Sequence, residues 1–209
     1  MANQNERQEV GEMNNLKSTA RCHECGSVME GKKGEYRYSE CGLTSVILKD
    51  ILVFRCTNCN EVIPEIPAVG VLHRVIALRL LDKKNLLTGS EIRFLRKLCG
   101  YTVNEFAEII GSTKTVISRW EKDGCGKGTD RLVRLLVMSK LAGELAGQPE
   151  PILSNMTVAE LISMVEDSLK LMEGKGRANE QYQISPVELA RFSGTSDRQM
   201  SGELVGSVQ

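Results

Sequence analysis

TVNEFAEIIGSTKTVISRW, Thr102 to Trp120, is the stretch that decides how this chain is read. Val103, Phe106, Ala107 and Ile110 recur at helical spacing, Val116, Ile117 and Trp120 do so again, and Gly111 breaks the pattern between them. Two short helices joined by a tight turn make the helix-turn-helix pattern. Glycine reaches positive φ without the Cβ clash other residues meet, so Gly111 lets the chain reverse. Ser112 or Thr113 then stands where a hydroxyl caps the first N–H groups of the second helix, and Ser112 is taken as that cap.

In such a motif the second helix enters the major groove of DNA with its N-terminal residues at the base edges. Val116, Ile117 and Trp120 must face inward, which leaves Ser112, Thr113, Lys114, Thr115, Ser118 and Arg119 free to meet DNA. Lys114 and Arg119 can donate to guanine O6 and N7, while Thr115 and Ser118 can donate, accept or pack on a thymine methyl. Thr102 and Asn104, opening the first helix, are placed to meet phosphate with backbone N–H groups and side chains. Glu121 is expected to pair with Arg93 or Arg96 rather than touch DNA.

The flanks fit a helical domain. Ser90 to Leu98 is expected to pack across the two helices, after a break and N-cap at Leu87-Thr88-Gly89-Ser90. After Trp120 a glycine-rich turn ends the second helix and leaves Cys125 in an exposed loop. Thr129 or Asp130 then caps a helix over Arg131–Leu145, with Leu132, Leu135, Leu136, Met138 and Leu141 as its apolar face. Cys99 is expected as a small core residue.

Towards the N-terminus stand two C-x-x-C pairs, Cys22/Cys25 and Cys56/Cys59, about thirty residues apart. Each pair is short enough for both sulfurs to point at one centre, and four thiolates can surround Zn²⁺ tetrahedrally in a closed, structural site. A redox C-x-x-C needs one pair in a βαβ setting, which is not visible here. Strand-like segments at Glu35–Tyr38 and Leu43–Phe54 lie between the pairs, so one ion would staple a small sheet too small to bury much apolar surface. His23 is expected to be exposed, and Cys41 part-buried and outside the metal shell. Pro64 and Pro67 end this module, and a connecting helix follows over Ala68–Leu87.

Residues 1–20 are polar and are expected to be a disordered arm. Beyond a linker at 147–151, Thr157–Met172 is an amphipathic helix with Thr157 and Glu160 as a capping box. The remaining tail is expected to be flexible, with a short helix at Pro186–Phe192.

Lys+Arg and Asp+Glu are equal at 27 each in the 209 residues, which excludes recruitment of nucleic acid by net charge alone. Ser90–Gly147 carries ten basic against seven acidic residues, a net +3. No apolar run approaches the roughly 18–20 residues a bilayer demands, so a cytoplasmic protein without a membrane partner is expected. In that compartment seven cysteines read first as metal ligands or buried thiols. Two histidines and no nucleophile constellation or phosphate-cradling loop argue against an enzyme.

The order of these features, with LRKLCGYTVNEFAEIIGSTKTVISRWEKDG at its centre, resembles MqsA-type antitoxins and related regulators, in which a YgiT-type zinc finger is joined to an Xre/Cro-like helix-turn-helix. The resemblance covers roughly residues 20 to 145. It implies a five-helix Xre fold, a homodimer, and binding to a palindromic operator in double-stranded DNA. It also implies an alternative role, an antitoxin or adaptor that binds a toxin-like protein through the zinc domain and autoregulates its operon. The family usually carries proline where His23 stands. The expected fold class is therefore α+β: a small β-rich four-cysteine zinc domain (21–67), a helical connector (68–89), an all-α helix-turn-helix domain (90–147) and a helical extension with a tail (148–209).

Overall fold

The computed structural model describes residues 18–147, 159–160, 162–163, 166 and 180–193. The N-terminal arm up to residue 17, the linker at 148–151, most of the helix expected over 157–172 and the tail beyond 193 lie outside the described residues.

The chain is α+β. Strands β1 (Thr19–Arg21), β2 (Val28–Arg37), β3 (Val46–Arg55) and β4 (Val62–Pro64) form an antiparallel sheet in that order. β3 reads VILKDILVFR, an aliphatic run suited to a strand covered on both faces. A bulge reorganises it midway: Asp50 takes φ 56°, and the register against β2 slips between Gly34 and Tyr36. The buried positions accordingly change parity, from Val46 and Leu48 to Ile51 and Val53. β2 begins at Val28, earlier than the expected Glu35, because its pairing continues up to the first cysteine pair. β4 ends on Pro64 at the sheet edge, where a missing N–H is tolerated.

Helix α1 (Val69–Leu81) follows. Leu72, Val75, Ile76, Ala77, Leu78, Leu80 and Leu81 are all buried, as in a helix covered on most sides. A single apolar cluster runs from Tyr38, Val46 and Leu48 of the sheet end, through Leu72 and Ile76, to Ile92, Phe106 and Ile117. The connector is thus the centre of the core. His73 of α1 is held from both sides: its Nε2 lies 2.8 Å from the Tyr38 hydroxyl, and its ring meets the Phe94 ring edge-on. Burial keeps His73 below its ordinary value and pushes Tyr38 up to about 12, favouring the neutral form of each.

Helices α2 (Gly89–Leu98), α3 (Val103–Ile110), α4 (Lys114–Asp123) and α5 (Lys127–Gly147) complete the helical part. α5 departs from expectation. Its inward face is Val133, Val137 and Leu141 at i, i+4, i+8, while Leu132 and Leu135 are exposed. Asp130 is not a terminal cap; it lies fully buried in the first turn and pairs with the equally buried Arg134, Nε to Oδ1 at 2.7 Å. Arg134 also donates to the carbonyls of Leu80 and Leu81 in the last turn of α1 and of Lys83 and Asn85 just beyond it, at 2.8–2.9 Å, tying the end of the helix to the chain that leaves it. Asp130 accepts from the Leu87 N–H at 2.7 Å. Beside it Lys83 and Glu91 form a second buried pair at 2.8 Å, and Glu91 completes the α2 capping box with Thr88. Cys125, expected in an exposed loop, is 3% exposed and packed in the core, because α5 begins right after it and draws the turn inward.

Part of the expected flexible tail is structured. Residues 182–184 form strand β5 (Tyr182–Ile184), parallel to β3, and Pro186–Ser193 form helix α6. Tyr182, Ile184 and Leu189 are buried, which supplies the apolar surface a polar-looking tail needs to dock.

Candidate nucleic-acid interface and metal centre

The turn between α3 and α4 is built as the residues dictate. Gly111 ends α3 at φ 70°, ψ 43°, and the Ser112 N–H returns to the Ala107 carbonyl at 2.8 Å. The N-cap of α4 is Thr113 rather than Ser112: it is extended at φ −120°, and its Oγ1 accepts from the Val116 N–H at 3.4 Å. Ser112 is spent on closing α3 and lies half-buried, one residue too early to cap.

From that cap the helix divides cleanly. Ile117 is fully buried, Val116 and Trp120 are half-buried, and Lys114, Thr115, Ser118 and Arg119 are exposed. Thr113 and Asn104 are exposed as well. Thr102 is exposed but committed. Its Oγ1 accepts from the Glu105 N–H at 3.2 Å, and its own N–H donates to Glu105 Oε2 at 2.7 Å. Hydrogen bonds from Thr102 hold the Glu105 carboxyl below the usual range, so this N-terminus already carries an anion. A phosphate here would meet the N–H groups of Val103 and Asn104 rather than that of Thr102.

Two devices fix the far end of α4, and both come from α2. Arg96 places Nε on Glu121 Oε1 and Nη1 on the Tyr101 carbonyl, joining α2, the α2–α3 turn and α4. Arg93, the other expected partner of Glu121, is exposed. The second device carries no local signal in the sequence. Gly89 stands at the break expected there, as the first residue of α2 after the Thr88 cap, and a Cβ on it would lie 2.5 Å from the Glu121 carbonyl oxygen and 2.9 Å from the Lys122 carbonyl carbon. Main chain cannot rotate away as a side chain does. Gly89→Ala is expected to cost about 1–3 kcal/mol by overpacking and to displace α4. Thermal denaturation together with DNA affinity checks this; a variant matching the parent in both would remove the close-contact role.

The four cysteines converge. All their Sγ atoms lie within 4.8 Å of one another, with Cys22–Cys59 at 3.4 Å and Cys25–Cys56 at 3.5 Å. Zn–S bonds of about 2.3 Å in a tetrahedron put sulfurs about 3.8 Å apart, so the cluster has the size of such a shell. The two knuckles are built alike. Gly26 N–H returns to the Cys22 carbonyl at 2.9 Å and Asn60 N–H to the Cys56 carbonyl at 3.1 Å, with Gly26 and Asn60 both at positive φ. Asparagine is the side chain best able to replace glycine there. Cys22 and Cys56 are buried while Cys25 and Cys59 are exposed, so the centre sits at the sheet's end, near the surface. His23 is exposed and Cys41 half-buried beside the Tyr38 carbonyl, and neither belongs to the cluster.

No curated protein and no solved structure matches the chain. A family model described as helix-turn-helix matches residues 92–137, a span that starts within α2, ends within α5 and contains α3, Gly111 and all of α4.

Proposed function

We propose that the chain is a sequence-specific DNA-binding transcriptional regulator, a dimeric repressor acting on a palindromic operator, with one structural Zn²⁺ held by Cys22, Cys25, Cys56 and Cys59. One observation carries the reading. Within the helix-turn-helix match, the start of α4 presents Lys114, Thr115, Ser118 and Arg119 to solvent, on a helix held at both ends by a cap, a buried Ile117 and the Arg96–Glu121 pair. A rigid helix with donors free at its N-terminal end is what major-groove readout requires. Thr113, Ser112, Asn104 and Thr102 flank it as backbone-positioning residues, with Asn104 better placed than Thr102. A dimer follows from the need to read both halves of an inverted repeat, with exposed Leu132 and Leu135 on α5 as the apolar side chains it would cover. No catalytic role is assigned.

Selection of bound sequences from a random DNA pool, at stated salt, tests the reading. An inverted repeat with half-sites about 34–36 Å apart is expected; a pool that stays unenriched while bulk DNA binding persists would sink it. Arg119→Ala on the selected site is expected to cost about 1–3 kcal/mol and to relax preference at one base pair. Equal loss on all sequences would instead make Arg119 a phosphate contact.

A second reading, an antitoxin or adaptor holding a toxin-like protein through the cysteine module, is supported by a groove of about 410 Å³ on the sheet. It is lined by Val28, Glu30, Lys32, Val53 and Arg55, and Val28 is 62% exposed. Co-purification of a small partner that is lost on Val28→Asp would favour it.

A further inference from the structure

Residues 180–193 are seated on the rest of the chain as a ligand would be. β5 runs parallel to β3 with Tyr182 opposite Val46 and Ile184 opposite Leu48, and the Tyr182 N–H donates to the Ser45 carbonyl at 2.8 Å. β2 occupies one edge of β3; on the other, β4 covers Val53–Arg55, and β5 takes Val46–Leu48. Side chains alternate, Tyr182 and Ile184 inward and Gln183 outward, and Leu189 of α6 follows into the core. Polar contacts hold both ends: Glu180 accepts from Asn85 Nδ2 at 2.9 Å, and Glu188 pairs with Arg79 of α1. Main-chain pairing along an edge, with pockets for alternate side chains, is how a sheet admits a foreign strand.

The seat is imperfect at one atom. Among the described residues the buried Tyr182 hydroxyl makes no hydrogen bond of good geometry; it faces Glu91, whose carboxylate already accepts from Lys83 and from the Thr88 N–H. A poorly aligned hydrogen bond to a carboxylate shared with two other donors compensates the lost water only in part. Three short strand pairs and three large apolar side chains must also offset the ordering of the whole segment. These are properties of an occupant that can be displaced.

We propose that the β3 edge at Val46–Leu48 and α1 form a strand-docking groove, self-occupied by residues 180–193. A protein partner is admitted there by presenting an extended segment with bulky apolar side chains two residues apart, followed by a carboxylate within reach of Arg79. This groove is separate from both the α4 face and the Val28 face, so it stands whether or not the regulator reading does.

The test uses the full chain and a labelled peptide of residues 178–195, added in trans. The tethered segment competes at an effective concentration in the millimolar range, so the native chain is expected to bind the peptide weakly. Glu188→Arg in the chain loosens the tethered copy at a partly exposed ion pair, and peptide affinity is expected to rise at least tenfold. Adding Arg79→Glu to that variant should remove the gain, as should a peptide carrying Tyr182→Ser. Tyr182→Ser in the chain, with the native peptide, repeats the measurement should Glu188→Arg fold poorly. Equal affinity for native and loosened chains, or no binding to either, overturns the proposal. Mutual exchange of the segment in a concentration-dependent dimer would assign the groove to a second copy and overturn it as well.

Discussion

Cys56→Ser is expected to abolish metal binding and to melt one end of the molecule while the other persists. Around the four cysteines the buried apolar cluster among the described residues is Cys22, Met29, Phe54, Cys56 and Ile63, edged by Ala20 and Leu52, and two of those five buried residues are proposed ligands. A core that small cannot offset the backbone entropy of β1, β4 and the two knuckles. Metal binding worth about 10–16 kcal/mol is what holds comparable zinc modules folded. Cys56 is 2% exposed, so no outside ligand readily replaces its thiolate. The opposite end of the sheet belongs to the other cluster, in which Val46, Leu48, Ile51 and Val53 pack with α1 and the helix-turn-helix. Metal content should therefore fall from about one ion per chain to near zero. Hydrogen exchange should rise steeply at Thr19–Arg21 and Val62–Pro64, with little change around Phe106 and Ile117. Chelation of the native protein should reproduce the pattern. Protection unchanged at β1 and β4 would rule out a structural metal.

Arg134→Met is expected to be the most destabilising single change in the helical part, about 3–5 kcal/mol. The side chain is fully buried, and its five donor contacts go to Asp130 and to four carbonyls, two in the last turn of α1 and two just beyond it. Methionine fills similar volume, so the loss is electrostatic: Asp130 remains buried with only the Leu87 N–H to face, and the α1 carbonyls lose their donors. For a chain of this size the cost corresponds to a fall in Tm of roughly 6–20 °C. That is much of the margin of a typical domain. The double variant Asp130→Leu with Arg134→Met should recover part of the loss, because it removes the stranded charge. Thermal denaturation of the three proteins checks this, and a single variant within about 1 kcal/mol of the native protein would show that α1 closes without Arg134.

Features governed by local rules were legible in the sequence. The paired C-x-x-C spacing identified the four thiols that converge, because each knuckle is a local turn and one centre satisfies both. Apolar periodicity located α2, α3 and α4, and Gly111 located the turn. The exposed row Lys114, Thr115, Ser118, Arg119 follows from the same 3.6-residue period. The α4 cap was read one residue early because Ser112 and Thr113 are chemically equivalent as caps, and only the closure of α3 onto Ser112 separates them.

Features decided by distant neighbours were not legible. On α5 Leu141 is buried as its spacing suggests and Leu136 and Met138 pack against the core, but Leu132 and Leu135 are exposed and Val133 and Val137 take their place, on the side from which Arg134 reaches the end of α1. Gly89 marks the start of α2 as its sequence suggests, but its close approach to the α4 backbone is set by the packing of the two helices. Within 180–193 the short helix was legible at Pro186–Phe192, but the strand before it was not, since two inward side chains among polar residues carry no strong period; pairing with the edge of β3 makes them a strand. Local spacing in the sequence by itself determined the cysteine knuckles, the helix-turn-helix and the residues it exposes. The tertiary structure alone decided which buried charges close α1, how α2 holds α4, and where the C-terminal segment lies, because each depends on surfaces that meet only after the chain has folded.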